Sequence, residues 1–378
     1  MTAMTQFVDC GGVAIHVRVS GPPGAPAVLL AHALGASLEI WEPQAEALAT
    51  SFRVIRFDLR GHGLSELGSG RVSIEQFADD ALAVLDALGV ASAHVGGISI
   101  GGLVAQAIAV RAPERVRSLI LVDTARAFPP PERWRDRAAT VRARGVAAIA
   151  DDTLGRWVSP EYLATAAGRG LRSILLATSS EGFAAAAEAL AVADYSAAKL
   201  AGPALVLVGE HDVGAPPSVS AALAASIPGA RLVVVPGARH VPLGEHAAEV
   251  TAAIAAHLAA QRDDGATVRA EVLGADHVAR ATNAITELDR DFQAYLTRAA
   301  WGEVWARPHF DRRTRSIVTL ALLAAGGHDE EFALHVRAMR NTGATPADLA
   351  ELLLHVAVYA GVPAANAAMR VAKRVLAE

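Results

Sequence analysis

Cysteine is nearly absent from this chain. Cys10 is the only one among 378 residues, so no intrachain disulfide can form and no pair of thiols exists for redox exchange. Lysine is almost as scarce: Lys199 and Lys373 leave 32 of the 34 basic residues as arginine, which we read as composition bias rather than function. Charged residues reach only 19%, and the net charge of −5 argues against nucleic acid as a partner. No apolar run is long enough to span a bilayer, and the amino terminus carries no charged-then-apolar signal pattern. These absences lead to the expectation of a cytoplasmic protein with no membrane partner.

What is present is apolar residue in quantity, 52% of a chain longer than one domain needs. The most informative stretch is Gly97-Ile98-Ser99-Ile100-Gly101-Gly102. A strand-like segment, Ser92 to Gly97, precedes it, and a helix-like one, Leu103 to Arg111, follows. That is G-x-S-x-G at a strand-to-helix turn, the context in which the motif exposes a serine hydroxyl for attack. A serine is a weak nucleophile without a base, and the partners follow in the order Ser, acid, His. The apolar run from Pro203 to Gly209 ends in Glu210-His211-Asp212, and the run from Arg231 to Pro236 is followed by His240. Both side chains then leave the carboxyl ends of strands, where open α/β sheets place their sites. We assign Ser99 as nucleophile, His240 as base and Asp212 as its orienting acid, with Glu210 and His246 as rivals. The segment Ala27 to Ala31 reads as a strand entering His32-Ala33-Leu34-Gly35, so the N–H groups of Leu34 and Ile100 are the expected oxyanion hole. The charges of Asp58-Leu59-Arg60-Gly61-His62-Gly63-Leu64-Ser65 are read as structural.

A change of character marks a boundary. Residues 1–260 form the α/β unit, closed by a helix from about Glu245 to Ala260. Within it, residues 126–200 lack strand pattern and read as a helical cap over the site, with Arg133, Trp134 and Trp157 as candidate substrate contacts. Residues 261–267 are polar and read as a linker. Residues 268–378 show only helical apolar spacing, broken by turn signals at Gly326-Gly327, Gly343 and Gly361, which suggests five or six helices. Thr345 followed by Pro346 is a helix start. On these helices Glu331 and His335 lie four apart, as do His355 and Tyr359. We favour His335 as a general acid oriented by Glu331, and Arg313 and Arg315 as partners for substrate carboxylates, with His355 and Tyr359 as further contacts. A zinc site from Glu331, His335 and His355 has the right ligand types but no standard spacing, so no metal is assigned.

The α/β unit resembles the 3-oxoadipate enol-lactone hydrolases of the α/β-hydrolase superfamily in the run Leu34 to Trp41 and the cap run Glu181 to Leu190. Ala33 stands where many of the wider superfamily have Gly. The helical unit resembles the 4-carboxymuconolactone decarboxylases, an AhpD-like all-α fold, in the runs Trp301 to Pro308, Asp311 to Ser316 and Val358 to Asn366. The thiol-dependent chemistry of the AhpD-like relatives needs a C-x-x-C pair that this chain lacks. The resemblance implies two consecutive steps in one chain, on small lactone carboxylates and without a cofactor. It also implies a homo-oligomer held through residues 268–378. The alternative is a general esterase whose helical unit is a non-catalytic oligomerisation module.

Overall fold

The computed structural model describes residues 4–261, 265–307 and 309–378. It divides into two compact units, Met1–Gln261 and Arg262–Glu378.

The first unit is built on one eight-stranded sheet. Its strands are β1 (Met4–Asp9), β2 (Ala14–Ser20), β3 (Ala27–Ala31), β4 (Arg53–Phe57), β5 (Ala93–Ile98), β6 (Val116–Val122), β7 (Ala204–Gly209) and β8 (Arg231–Val235). They lie in the order β1-β2-β4-β3-β5-β6-β7-β8; β1 and β2 pair antiparallel, β2 joins β4 antiparallel, and all other neighbours are parallel. Helices cover both faces of the parallel part, so β3, β5 and β7 are buried along their whole length, and β3 and β7 read as unbroken apolar runs rather than alternating ones. For the same reason the helix Ile100–Arg111 is buried on all sides from Ile100 to Ile108. The pairing sets Ile98 level with Val122, Val122 with Leu207, and Gly209 with Val235. The segments that follow β5, β6, β7 and β8 therefore emerge along one edge of the sheet.

The loop after β4 shows why its charges are structural. Asp58 accepts from the ring of His16 at 2.7 Å and from the N–H groups of Leu38 at 2.7 Å and Leu64 at 3.0 Å. Burial would push its pKa up, but His16, His32 and these N–H donors outweigh it and hold the carboxyl below its usual range. A Cβ at Gly63 would sit 2.0 Å from Asp58 Oδ2, so only glycine leaves room for this cluster. Arg60 in turn forms a two-pronged pair with buried Asp80 at 2.5 and 2.7 Å.

Between β6 and β7 lie the cap helices Pro131–Arg144, Ala150–Trp157, Pro160–Ala164, Ala166–Ala177 and Ser180–Val192. The first and last pack together and are clamped on the outside by Arg142, which reaches both Glu181 and Glu188. The closing helix begins at Ala247 rather than Glu245, because a short turn, Pro242–Glu245, precedes it. Among the described residues, no single helix is long and apolar enough to cross a membrane.

Among the described residues the second unit is all helical: Gly265–Leu273, Ala275–Asn283, Arg290–Leu296, the π-helical Thr297–Trp305, Arg312–Gly326, Asp329–Thr342, Pro346–Tyr359 and Val362–Leu376. The expectation of five or six helices missed short segments such as Ala275–Asn283, which has no fully buried residue and packs Val278 against the core. The linker expectation over 261–267 also needs correction. Residues 262–264 lie outside the described residues, but Gly265 already begins a helix. Its glycine serves close packing rather than flexibility, since a Cβ there would meet the carbonyl oxygen of Thr297 at 1.9 Å. Later turns follow the expected signals: Gly327 and Gly343 adopt left-handed backbone, and Thr345 forms a reciprocal capping box with Asp348.

Candidate active site

In the first unit the structure brings together the three residues read from the sequence. Ser99 sits at the tip of the turn between β5 and the helix Ile100–Arg111, with φ +57° and ψ −118°. This strained backbone is possible because its neighbours are small: a Cβ at Gly97 would strike the Gly101 carbonyl oxygen at 2.1 Å, and one at Gly101 the Ala31 oxygen at 2.4 Å. His240 Nε2 lies 3.0 Å from Ser99 Oγ, and His240 Nδ1 lies 2.8 Å from Asp212 Oδ2. Asp212 is buried, which would raise its pKa; the His240 imidazole and the N–H groups of Gly214 and Ala215 outweigh that and keep it ionised below the usual range. The rivals make other contacts: Glu210 accepts from the Gly237 N–H at 2.8 Å, and the backbone N–H of His246 bonds to the Pro242 carbonyl. Such a set has the geometry for acyl transfer. Ile100 heads the helix, so its N–H is among the unsatisfied donors of a helix start, and Leu34 lines the cavity beside Ser99.

That cavity, about 50 Å³, is roofed by the cap. The three cap candidates Arg133, Trp134 and Trp157 all line it, together with Phe128 and Phe183. Two further residues in its wall were not foreseen: Arg137 and Arg156. Both guanidiniums share the carboxylate of Asp152, at 3.1 and 2.6 Å, and Arg137 also donates to Thr153 at 2.5 Å. Burial, and then the neighbouring Arg156, press the Arg137 pKa downward, and among the described residues its Nε is buried without a partner. Three arginines against one carboxylate leave this wall cationic. The only sequence signal was the i,i+4 spacing of Arg133 and Arg137 on one helix.

In the second unit His335 is buried on the helix Asp329–Thr342. Its ring stacks on Trp301, with centroids 6.2 Å apart, and on Trp305, at 6.0 Å. The two tryptophans thus hold the ring, in addition to anchoring the packing. Two expectations are corrected here. Among the described residues no hydrogen bond joins Glu331 to the imidazole, whose Nδ1 is buried without a partner there. Nor does Glu331 set the pKa: burial dominates and pushes it down to about 4, against the smaller opposing effect of Glu331. Arg313 and Arg315 are already engaged, the first with Asp348 at 3.0 and 2.5 Å, the second with the Arg307 carbonyl at 2.5 Å. His355 and Tyr359 stack on each other at 6.3 Å on an exposed face, and among the described residues neither contacts His335.

The architecture is that of an α/β hydrolase followed by an all-helical enzyme-like unit. A family model for the alpha/beta hydrolase fold matches residues 26–152, and one for the carboxymuconolactone decarboxylase family matches residues 290–374. The 4-carboxymuconolactone decarboxylase of Acinetobacter baylyi is 50% identical over 111 residues, 29% of this chain and 83% of that protein. The 3-oxoadipate enol-lactonase 1 of the same organism is 33% identical over 205 residues, 53% of this chain and 77% of that protein. The crystal structure of the enol-lactonase from Burkholderia xenovorans superposes with a TM-score of 0.65 at 36% identity, covering 67% of this chain and 99% of that one. The chain therefore belongs to the α/β-hydrolase family through its first unit and to the carboxymuconolactone decarboxylase family through its second.

Proposed function

We propose that the chain is a bifunctional enzyme: the helical unit decarboxylates 4-carboxymuconolactone, and the α/β unit hydrolyses the resulting 3-oxoadipate enol-lactone to 3-oxoadipate. The observation that carries this reading is the union in one chain of relatives that perform a decarboxylation and the opening of its product.

The chemistry of each step follows from the sites. In 4-carboxymuconolactone the departing carboxylate connects through a carbon–carbon double bond to the lactone carbonyl. Breaking the C–CO2 bond sends its electron pair into that carbonyl as a dienolate, and a proton then returns to carbon. The protein must bind carboxylates, stabilise the dienolate oxygen and deliver that proton. His335 is the proton donor in this reading, held by Trp301 and Trp305. In the second step Ser99 Oγ attacks the lactone carbonyl while His240 takes its proton, and the N–H groups of Leu34 and Ile100 receive the oxyanion. The ring C–O bond breaks, His240 protonates the leaving enol oxygen, and water releases the acyl group by the same route. The lactone side chain carries a carboxylate, and the cationic wall of Arg133, Arg137 and Arg156 matches it in sign.

The helical unit also presents Leu322, Leu354, Val358 and Tyr359 to solvent on two helices that pack together, Arg312–Gly326 and Pro346–Tyr359. This apolar face supports assembly with further copies of the chain.

The test supplies 4-carboxymuconolactone to the purified chain and follows CO2, lactone and 3-oxoadipate separately. Wild type is expected to form all three in sequence, and Ser99→Ala to release CO2 normally while lactone accumulates. Hydrolysis by Ser99→Ala within about tenfold of wild type removes the nucleophile assignment. Hydrolysis of simple esters without any CO2 release would instead make the helical unit a non-catalytic module.

A further inference from the structure

Asp123 stands beside the triad and takes part in none of the steps above. It follows β6 directly and has φ +44°; among the described residues the only other non-glycine with positive φ is Ser99. Such backbone persists where the surroundings hold it in place. Here the Asp123 N–H donates to the Leu207 carbonyl at 2.8 Å, and its Oδ1 accepts from the Gly209 N–H at 2.8 Å. The side chain is wholly buried, and among the described residues its Oδ2 meets no donor. One oxygen of Asp123, one of Asp212 and a ring nitrogen of His240 all lie within 4.8 Å of one another.

Two buried carboxyls this close do not both ionise, so one keeps a proton. Asp212 faces the imidazole of His240 and the Gly214 N–H, which favour its charged form. Asp123 faces Asp212 with a single N–H donor of its own, and burial together with the Asp212 charge raises its pKa well above the carboxylate range. The proton therefore resides on Asp123, and the oxygen free to carry it is Oδ2.

We propose that Asp123 is a positioning residue for lactone opening, a neutral carboxylic acid whose Oδ2–H donates to the Asp212 carboxylate and holds it against His240. The proposal rests on the reading of Ser99, His240 and Asp212 as the hydrolytic triad. A carboxylate that accepts this bond is fixed in place and less basic. The proton taken from Ser99 then stays on His240, where the leaving oxygen needs it.

Two measurements on the full chain test it. Infrared difference spectra of wild type against Asp123→Asn at neutral pH are expected to show the carbonyl stretch of a protonated carboxyl; carboxylate bands in its place overturn the proposal. Asparagine tolerates the backbone and donates an N–H from the same position. Asp123→Asn is therefore expected to keep kcat for enol-lactone hydrolysis within about threefold, with the acid limb of kcat/KM unmoved. Asp123→Ala, which removes the donor, is expected to lower kcat by about 10- to 100-fold at unchanged KM. An Asp123→Asn variant as impaired as Asp123→Ala, or one whose acid limb drops by about a unit because a negative charge was lost, overturns the idea. So does an Asp123→Ala variant as active as wild type. Should Asp123→Ala fail to fold, the spectrum and the Asp123→Asn profile still decide. Persistent hydrolysis in Ser99→Ala would refute the triad, whereas the infrared band reports on the Asp123 proton in either case.

Discussion

The imidazole of His335 lies almost parallel to the indole of Trp301, with 8° between the planes. With Trp305 also against it, the ring is shielded from water, and burial pushes its pKa down to about 4 in spite of Glu331. The free enzyme therefore holds His335 neutral at pH 7. A proton donor must be charged to act, so kcat/KM for decarboxylation is expected to rise as pH falls from 7 towards 4. Bound substrate brings its own carboxylates, which favour the imidazolium, so the corresponding limb in kcat should stand at higher pH. His335→Gln is expected to abolish both limbs and lower turnover by about 10²- to 10⁴-fold. Rates measured for wild type and variant across this range check it, and undiminished CO2 release by His335→Gln excludes the assignment.

The cationic wall of the cap cavity yields a prediction about binding rather than chemistry. Arg156 shares Asp152 with Arg137 and is more exposed, so replacing it disturbs the fold less. For Arg156→Gln, KM for the carboxylate-bearing enol-lactone is expected to rise about tenfold, the loss of one charge-assisted pair, with kcat little changed. A neutral lactone or ester should show no such difference. Equal effects on charged and neutral substrates would remove Arg156 from carboxylate recognition.

The contrast between these residues shows what a sequence can and cannot display. Ser99 was legible because part of its constraint is local: Gly97 is required by the nearby Gly101 carbonyl, while Gly101 is required by the end of β3. Asp212 and His240 were legible because each follows an apolar strand, and parallel strands deliver their ends to one edge. Arg137 and Arg156 were not, since their convergence depends on how two cap helices fold back over the sheet. Asp123 was missed because it looks like any polar residue closing a strand; only the register with β7 puts it beside Asp212. His335 stands out in the sequence by type and spacing, but its electrostatics are not visible there. The i,i+4 partner Glu331 is visible in sequence, whereas the two tryptophans that shield the ring from water come from a separate helix.

Buried neutral histidines make the first unit sensitive to acid. Ser118 Oγ lies 2.8 Å from the His94 ring and 3.0 Å from that of His257. Burial, aided by Arg117 and His257, lowers the His94 pKa to about 3; burial, aided by Arg231, lowers that of His257 to about 4; His62 is also lowered to about 3 by burial and His32. These groups bind protons more readily when unfolded, near 6.5. The stability they contribute is therefore complete above about pH 6.5 and is lost progressively as pH falls towards 4 and then 3. Urea midpoints taken from pH 7 downward should decline across that window. His257→Gln should flatten the slope by up to about 1.4 kcal/mol per pH unit, one proton's worth. An unchanged slope would mean that His257 is already charged in the folded chain.

The exposed face of the helical unit leads to the last prediction. Leu354 and Val358 lie one turn apart on the same helix face and are 64% and 76% exposed, and the adjacent Tyr359 reaches 84%. Leu322, on the helix packed beside them, is 68% exposed. Large apolar side chains gathered in this way are costly to leave in water, and a second copy of the same surface can cover them. Purified wild type is expected to scatter light as a closed oligomer at micromolar concentration, and Leu354→Glu/Val358→Glu as a smaller species. Glutamate at solvent-facing helical positions costs a lone chain little, so reduced assembly would report the interface rather than unfolding. The variant should hydrolyse supplied enol-lactone at the wild-type rate, because Ser99, His240 and Asp212 all come from residues of the first unit. A monomeric wild type, or a variant that assembles as before, would leave this face without the partner assigned to it.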